Sequence, residues 1–128
     1  MIADDHEGAR KAIRSILQTR PDIYICGEAA NGQEAVQQTL QLDPDLVVLD
    51  VWMPLKDGFA AAAEIKNSRP HIPILMISTA RDEDMILAAK QAGAQGFIPK
   101  FGIHHLLLKA VDALLQGHTF FSLDTHSP

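Results

Sequence analysis

The chain has 128 residues, a formal net charge of −5, and a composition that is 47% apolar and 21% charged. This size and composition predict one globular domain with a sizeable core and exclude an intrinsically disordered chain. The negative charge argues against nucleic-acid binding by this domain itself. No run approaches the roughly 20 apolar residues that a membrane-spanning helix needs.

The first part of the chain alternates short apolar runs with amphipathic patterns. Met1 to Ala3 predicts only the last part of a first strand, so we expect the chain to be a fragment. Apolar residues then recur at helical spacing from Glu7 to Thr19. A second strand is predicted from Ile23 to Glu28. It contains Cys26, the single cysteine, which excludes an internal disulfide and favours a reducing, cytoplasmic compartment.

A buried strand carries the residue around which the chain is organised. It is preceded by a predicted helix that begins with Asn31 as its cap and has Glu34 three residues later. Four consecutive apolar residues, Leu46 to Leu49, then predict a strand buried on both faces. Asp50 follows at the carboxyl end, the edge of an open α/β sheet where ligands usually bind. We therefore expect the Asp50 side chain to be exposed there.

The second half of the chain continues the alternation. A helix, a strand, a helix, a strand and a helix are predicted in turn at residues 59–66, 74–77, 82–92, 96–100 and 103–116. Pro99 places the fifth strand either at the sheet edge or at its own end. Five strand-helix units predict an α/β fold, a five-stranded parallel sheet with helices on both faces and right-handed crossovers. Residues 118–128 carry few signals beyond Phe120 and Phe121, and we interpret them as an ordered edge running into a linker.

The predicted sheet brings polar residues from four strands to one edge. They are Asp4 and Asp5 after the first strand, Asp50 after the third, Ser78 and Thr79 after the fourth, and Lys100 after the fifth. Two carboxylates about 5 Å apart repel by roughly 3 kcal/mol at an effective dielectric near 20, so this group calls for a counter-charge. Mg²⁺ is suited to it, because the ion takes a few carboxylates, keeps waters and bridges to phosphate. One carboxylate can then attack a phosphoryl group, with Lys100 binding the phosphoryl oxygens and Ser78 donating to one of them.

These residues belong to motifs that run through nearly the whole chain. The motifs are Ala3 to Asp5, Val48 to Gly58, Ile77 to Ala80, Ala92 to Ala94 and Gly96 to Lys100. In this order and spacing they resemble the receiver domain of bacterial two-component response regulators. The resemblance implies the flavodoxin-like receiver fold, with Asp50 as the phosphoacceptor. The implied magnesium ligands are Asp4, Asp5, Asp50 and the backbone carbonyl of Trp52.

The resemblance also assigns the residues that respond to phosphorylation. Ser78 matches the switch hydroxyl, Phe97 the aromatic switch residue, and Lys100 the lysine that contacts the phosphoryl group. Thr79 stands where the family usually has a very small residue. It either narrows access to the phosphoryl group or signals a one-residue slip that makes Thr79 the switch. We favour Ser78, because it keeps the family-like spacing to Gly93 and Lys100.

Three stretches look most like the NarL/LuxR-type subfamily. They are residues 28–32, the Lys100-Phe101 ending that no proline follows, and residues 117–122. This resemblance implies a receiver domain at 1–117 and, at 118–128, the start of a linker toward a helix-turn-helix DNA-binding domain outside this chain. A sensor histidine kinase is the implied phosphoryl donor, and phosphorylation is implied to switch homodimerisation and the activity of the DNA-binding domain. The domain itself is expected to be a phosphoacceptor switch and not an enzyme.

Three other functions fit parts of the pattern. A metal-dependent phosphohydrolase would need a second general acid close after Asp50, where Trp52 stands instead. A flavodoxin-like redox carrier would need a hydroxyl-rich phosphate loop in place of the acidic stretch Asp4 to Glu7. A phosphorylation-independent interaction domain stays open, because Thr79 can blunt the chemistry. We assign His6 to the start of the first helix and not to a metal.

Overall fold

The centre of the computed structural model is a parallel sheet covered by helices on both faces. The structure describes residues 1–79 and 83–122; Ala80, Asp82 and residues 123–128, which carried predictions, lie outside them. The elements in chain order are β1 (Ile2–Ala3), α1 (Glu7–Leu17), β2 (Glu28–Ala29), α2 (Gly32–Leu42), β3 (Val47–Asp50), α3 (Gly58–Ser68), β4 (Ile74–Ser78), α4 (Glu83–Gln91), β5 (Gly96–Pro99), a 3₁₀ turn (Lys100–Gly102), α5 (Ile103–Leu115) and β6 (Phe120–Phe121). Neighbouring strands pair in parallel in the order β2-β1-β3-β4-β5-β6. The predicted parallel α/β fold is confirmed.

The alternation of side chains along the strands divides the interior into two layers. On one side of the sheet, Val47 and Leu49 of β3 belong to a buried cluster that includes Ile65 of α3. On the other side, Val48 belongs to a cluster that includes Leu106 of α5. Strands β3 and β4 are buried along their whole length, as expected for strands covered by helices on both faces. The carboxyl ends of these strands therefore stand on a close-packed support.

Two of the described helices, α2 and α3, begin at residues whose side chains cap them. Asn31 Oδ1 accepts a hydrogen bond from Glu34 N at 2.8 Å, which confirms the predicted start of α2. Asp57 Oδ1 accepts from Ala60 N at 2.8 Å and caps α3 in the same way. Such caps contribute about 1 kcal/mol each. Among the described helices, the longest has 13 residues, and none has the length and apolar character needed to cross a bilayer.

The second predicted strand is shorter than expected. β2 covers only Glu28–Ala29; Gly27 accepts a hydrogen bond from Ile2 N, but residues 23–27 are not part of the strand. The ladder between β1 and β2 has two pairs, Ile2 with Glu28 and Ala3 with Ala29. The prediction of a strand from Ile23 was wrong, because the length of a ladder depends on the partner strand as well as on local apolar content.

The last strand comes from the segment that was expected to be an ordered edge running into a linker. Phe120 and Phe121 pair in parallel with Gly96 and Phe97 of β5. Among the described residues the sheet therefore has six strands rather than five, and β5 is an interior strand. Pro99 is the last residue of β5, so of the two predicted positions it takes the one at the end of its strand.

Candidate functional site

Two buried carboxylates share one lysine at the carboxyl edge of the sheet. Asp4 follows β1, Asp50 is the last residue of β3, and Lys100 follows β5. Lys100 Nζ lies 2.8 Å from Asp4 Oδ2 and 3.4 Å from Asp50 Oδ1. The sheet thus brings together three side chains that are far apart in the sequence, and the lysine forms an ion pair with each carboxylate.

Asp50 is buried, in contrast to the exposed position expected from the sequence. Its exposed fraction is 5%, and that of Asp4 is 0%. The prediction was wrong because Asp50 lies within the ladder, opposite Ile77 of β4. The following loop also comes close to the backbone of Asp50: Gly58 N donates to Val51 O at 2.7 Å, and a Cβ at Gly58 would clash with the backbone oxygen of Asp50. Glycine therefore allows the close approach of the loop to the end of β3.

The site carries more negative than positive charge. Burial and the neighbouring Asp4 raise the pKa of Asp50 to about 6, against the lowering effect of Lys100. Burial lowers the pKa of Lys100, but the hydrogen bond to Asp4 and the charge of Asp50 outweigh burial, and the pKa of Lys100 is raised. Lys100 is therefore charged at neutral pH, and Asp50 is mostly ionised there although burial opposes its charge. One lysine does not neutralise both buried carboxylates, so the site favours a further cation.

The acidic pair and the following histidine lie together beside this site. His6 N donates to Asp4 Oδ1 at 2.9 Å, and His6 Nδ1 is 3.1 Å from Asp5 Oδ1. One ligand atom from each of the three residues lies within 4.8 Å of the others, so they form a group that can hold a metal ion. His6 also precedes α1, as expected from the sequence, and its place beside the acidic pair follows from its position directly after Asp5.

The donor set suits a hard divalent cation. Carboxylate oxygens are the ligands that Mg²⁺ prefers, and Asp4 and Asp50 present two of them that a single lysine leaves incompletely neutralised. The side chain of Asp5 is 29% exposed, which opens the group to solvent. Trp52, whose carbonyl the resemblance implies as a ligand, lies in the loop after β3, with its side chain exposed.

Arg10 and Glu28 support the acidic pair and were not predicted. Arg10 Nη1 donates to Asp4 O at 2.6 Å, and Arg10 Nε lies 3.4 Å from Glu28 Oε1. Arg14 Nη1 contacts the same Glu28 carboxylate at 2.6 Å. These contacts tie α1 to the ends of β1 and β2 and fix the backbone that carries Asp4. The sequence carries no signal for these contacts, because they depend on how α1 is oriented relative to the strands.

The predicted switch residues lie at β4, which pairs with the strand of Asp50, and in β5, which pairs with β4. Ser78 is the last residue of β4, is fully buried, and lies opposite Pro99, the residue before Lys100. Thr79 follows Ser78 and is exposed. Phe97 is fully buried and belongs to the cluster on the α2, α3 and α4 side of the sheet. In this structure Phe97 is therefore a core residue.

A family model and a curated relative match this chain. The model of the response regulator receiver domain matches residues 1–112. Over 107 residues the chain is 45% identical to protein-glutamate methylesterase/protein-glutamine glutaminase 1 of Methanosarcina mazei, which corresponds to 82% of this chain and 30% of that protein. The chain spans from 30% to 58% of the length of curated relatives such as this one.

Solved structures show the same relationship. A LuxR-family two-component response regulator from Aurantimonas sp. SI85-9A1 has a TM-score of 0.90 and 30% identity, over 94% of this chain and 86% of that one. The signal receiver domain of NarL from Mycobacterium tuberculosis has a TM-score of 0.87 and 29% identity, over 91% of this chain and 94% of that one. The chain therefore belongs to the response regulator receiver domain family, and its relatives include receiver domains of the NarL/LuxR type.

Proposed function

We propose that this receiver domain takes a phosphoryl group on Asp50 and acts as the switch of a two-component response regulator. The observation that carries the proposal is the pairing of Lys100 Nζ with both Asp4 and Asp50. A lysine at this point supplies positive charge for the oxygens of a phosphoryl group on Asp50. The pKa of Asp50 is about 6. At neutral pH Asp50 is therefore ionised in most molecules, and its carboxylate is able to attack phosphorus.

In the proposed transfer, a carboxylate oxygen of Asp50 attacks the phosphorus of a phosphohistidine on a sensor histidine kinase. The oxygen-phosphorus bond forms as the nitrogen-phosphorus bond breaks, and the electron pair of that bond stays on the imidazole nitrogen. In the later hydrolysis, water attacks the phosphorus, the bond to Asp50 breaks, and inorganic phosphate leaves. Lys100 stabilises charge on the phosphoryl oxygens in both steps. Ser78, or Thr79 if the register slips by one residue, donates a hydrogen bond to one of these oxygens.

The proposed ligands of Mg²⁺ are Asp4, Asp5, Asp50 and the backbone carbonyl of Trp52. When bound, Mg²⁺ supplies positive charge that neutralises the carboxylates and the phosphoryl oxygens. Asp4 is held in one orientation, because His6 N binds one of its oxygens and Lys100 Nζ the other. The greater exposure of Asp5 suits a ligand that binds from the solvent side.

The proposed result of phosphorylation is a population shift in which Ser78 and Phe97 move. Phe97 is fully buried, so its movement requires the surface formed by α4, β5 and α5 to repack. That surface is proposed to control homodimerisation and the activity of a DNA-binding domain. A shift from 1:99 to 99:1 requires the phosphoryl group to favour the active form by about 5.5 kcal/mol.

The output of a longer protein is a separate part of the proposal. We propose that residues 1–117 form the receiver domain and that 118–128 begin a linker toward a helix-turn-helix domain, through which alone DNA is bound. The relative from Aurantimonas is of the LuxR family, which supports this output. The relative from Methanosarcina mazei carries the name of a methylesterase, so an enzymatic output is the alternative. A cytoplasmic location stays a prediction.

Phosphorylation by a small-molecule donor tests the proposal. The protein is incubated with acetyl phosphate and Mg²⁺, and its intact mass is measured. We expect one acid-stable, base-labile phosphoryl group in the unmodified protein and none in Asp50→Asn. Asp57→Asn is the matched control, because Asp57 lies in the loop that follows Asp50 and its side chain caps α3, a task that Asn performs equally well. The control is expected to be phosphorylated like the unmodified protein.

The other outcomes favour other functions. If neither acetyl phosphate nor phosphoramidate gives an adduct, the chain is a phosphorylation-independent interaction domain, a pseudo-receiver. The observation that favours this second candidate is Thr79, which stands exposed directly after Ser78 in place of the very small residue usual in the family. Consumption of many equivalents of donor without a stable adduct would instead favour a phosphohydrolase.

A further inference from the structure

The segment that follows α5 folds back onto the sheet beside Phe97. β6 pairs in parallel with β5, with Phe120 opposite Gly96 and Phe121 opposite Phe97. Phe120 N donates to the backbone oxygen of Gln95 at 3.0 Å, and Ser122 N donates to that of Phe97 at 2.9 Å. Two backbone hydrogen bonds thus attach the segment leaving α5 to a strand whose other end leads into Lys100.

Side chains from both layers of the domain also hold this segment. Phe121 packs against the cluster that contains Phe97, and Lys90 Nζ of α4 lies 4.8 Å from the centre of the Phe121 ring. Phe120 packs against the cluster on the α5 side. At Gly96, a Cβ would stand 3.0 Å from the backbone oxygen of Phe120, so the absence of a side chain there permits the close pairing.

β5 connects the site directly with β6. It has four residues, Gly96–Pro99. Its carboxyl end continues into Lys100, which contacts Asp4 and Asp50, and its amino half pairs with β6. A change in the position of Lys100 therefore acts on the same strand that holds Phe120 and Ser122.

From this juxtaposition we propose that β6 is a releasable strand: it is docked on β5 and α4 when Asp50 is unmodified, and phosphorylation of Asp50 weakens its docking. The proposal rests on the proposed phosphoacceptor function and adds to it the element that transmits the signal to the chain beyond α5. When Lys100 turns from Asp4 and Asp50 toward the phosphoryl oxygens, β5 shifts, and the backbone hydrogen bonds to Phe120 and Ser122 weaken. Phosphorylation acts on β6 only to the extent that it stabilises the released form more than the docked form.

Hydrogen exchange of single backbone amides tests the proposal. The amides of Phe120 and Ser122 are followed by NMR in the full chain with Mg²⁺, before and after acetyl phosphate, and intact mass reports the extent of phosphorylation. We expect exchange at both amides to rise by at least about fivefold on phosphorylation, the lower end of typical coupling between two sites. The amide of Val47, which lies at the other end of β3 from Asp50 and donates to the backbone oxygen of Pro73, is expected to exchange at an unchanged rate.

A variant of Lys90 tests the docking without phosphorylation. Lys90→Met keeps the aliphatic stem but removes the ammonium over Phe121, and we expect exchange at Phe120 and Ser122 to rise by about two- to fivefold in the unmodified protein, as the loss of an exposed cation-π contact predicts. Lys109→Met is the matched control, because Lys109 is exposed on α5. It is expected to leave both amides unchanged.

The outcomes separate this proposal from the proposed function. A full phosphoryl adduct with unchanged exchange at Phe120 and Ser122 overturns the release of β6 and leaves Asp50 as phosphoacceptor. Absence of any adduct overturns both. Faster exchange in Lys109→Met equal to that in Lys90→Met overturns the role of Lys90 in docking β6.

Discussion

Lys100 stabilises two carboxylates that have little contact with water. Asp4 and Asp50 are buried, and both oxygens nearest the lysine lie within 3.4 Å of its Nζ. Removal of one partner of a buried ion pair leaves a charge that neither solvent nor protein compensates. Removal of Lys100 is therefore costly mainly because it leaves two buried carboxylates uncompensated, and not because its own packing is lost.

We predict that Lys100→Met lowers the free energy of unfolding by roughly 2–4 kcal/mol at pH 8 without divalent cations, somewhat less than a fully buried pair because Lys100 is partly exposed. The loss should shrink toward pH 5, because Asp50 can then take up a proton. Urea denaturation in the presence of a chelator measures the free energy of unfolding at both pH values. Lys109→Met, an exposed lysine on α5, is the control and should change stability little. Equal losses in the two variants would contradict the electrostatic role of Lys100.

The pKa of Asp50 leads to a second prediction, which concerns the dependence of stability on pH. Its pKa is raised to about 6 in the folded protein, first by burial and then by Asp4, against about 3.9 in an unfolded chain. Between these two values the folded state binds more protons than the unfolded state. The contribution of Asp50 to stability is therefore fully present below pH 4 and is lost as the pH rises through 6.

The expected size of this loss is on the order of 3 kcal/mol, from a shift of about two units. Asp50→Asn has no proton to release, so its free energy of unfolding should not fall in this pH window for that reason. The measurement is the difference between the unmodified protein and Asp50→Asn in metal-free urea denaturation at pH 4, 5, 6 and 7.5. The difference cancels the contributions of the groups that the two proteins share. A difference that is constant over the whole range would disprove the assigned titration.

At the scale of elements, the loop between β3 and α3 is shaped by Gly58. A Cβ there would clash with the backbone oxygen of Asp50 and stand 2.9 Å from Val51 Cα, and neither backbone atom can turn away as a side chain can. We predict that Gly58→Ala destabilises the protein by roughly 1–3 kcal/mol and slows phosphorylation by acetyl phosphate. Denaturation curves and the rate of adduct formation measure the two effects.

Gly8→Ala is the control for the loop. Gly8 lies in α1, and no atom stands within 4 Å of the position that a Cβ would take there. Alanine is the better helix former, so this variant should raise stability by up to about 1 kcal/mol and leave phosphorylation unchanged. Destabilisation by Gly8→Ala as large as that by Gly58→Ala would show that the effect is not specific to the loop.

The elements differ in how far the sequence predicts them, for physical reasons. β3 and β4 were predicted because strands buried on both faces appear as continuous apolar runs, and the start of α2 because a cap is a local interaction of Asn31 with Glu34 N. β2 was overestimated because its length depends on the partner offered by β1. β6 was not predicted as a strand, because two aromatic residues carry no periodicity and their pairing depends on the edge of β5.

The candidate site shows the same division. Its side chains could be named in advance, because parallel strands end at one edge of a sheet, and Asp4, Asp50 and Lys100 do meet there. The burial of Asp50 could not be predicted, because its place within the ladder depends on pairing with Ile77 of β4. The contact of Arg10 with the backbone of Asp4 depends on the angle between a helix and a strand, which local sequence does not determine.

At the scale of the whole molecule, a cation bound at the site stabilises the folded state by mass action. We predict that Mg²⁺ raises the thermal midpoint of unfolding. The free energy of unfolding should gain about 2.7 kcal/mol when the Mg²⁺ concentration is a hundred times its dissociation constant. Asp5→Asn should reduce this gain, because Asp5 is a proposed ligand. Since Asp5 is partly exposed, the substitution should leave the stability of the metal-free fold little changed. Differential scanning calorimetry over a Mg²⁺ series measures the gain. Asp57→Asn should keep the full gain, and equal shifts in both variants would contradict the proposed ligand set.

The pairing of β6 with β5 also bears on aggregation. The outer strands of the described sheet, β2 and β6, have two residues each, and very short edges give another chain little backbone to pair with. β5 is apolar and four residues long, so without β6 it would present unpaired backbone groups beside a buried phenylalanine. A chain shortened before Phe120 should therefore be more prone to edge-to-edge self-association than one that retains Ser122.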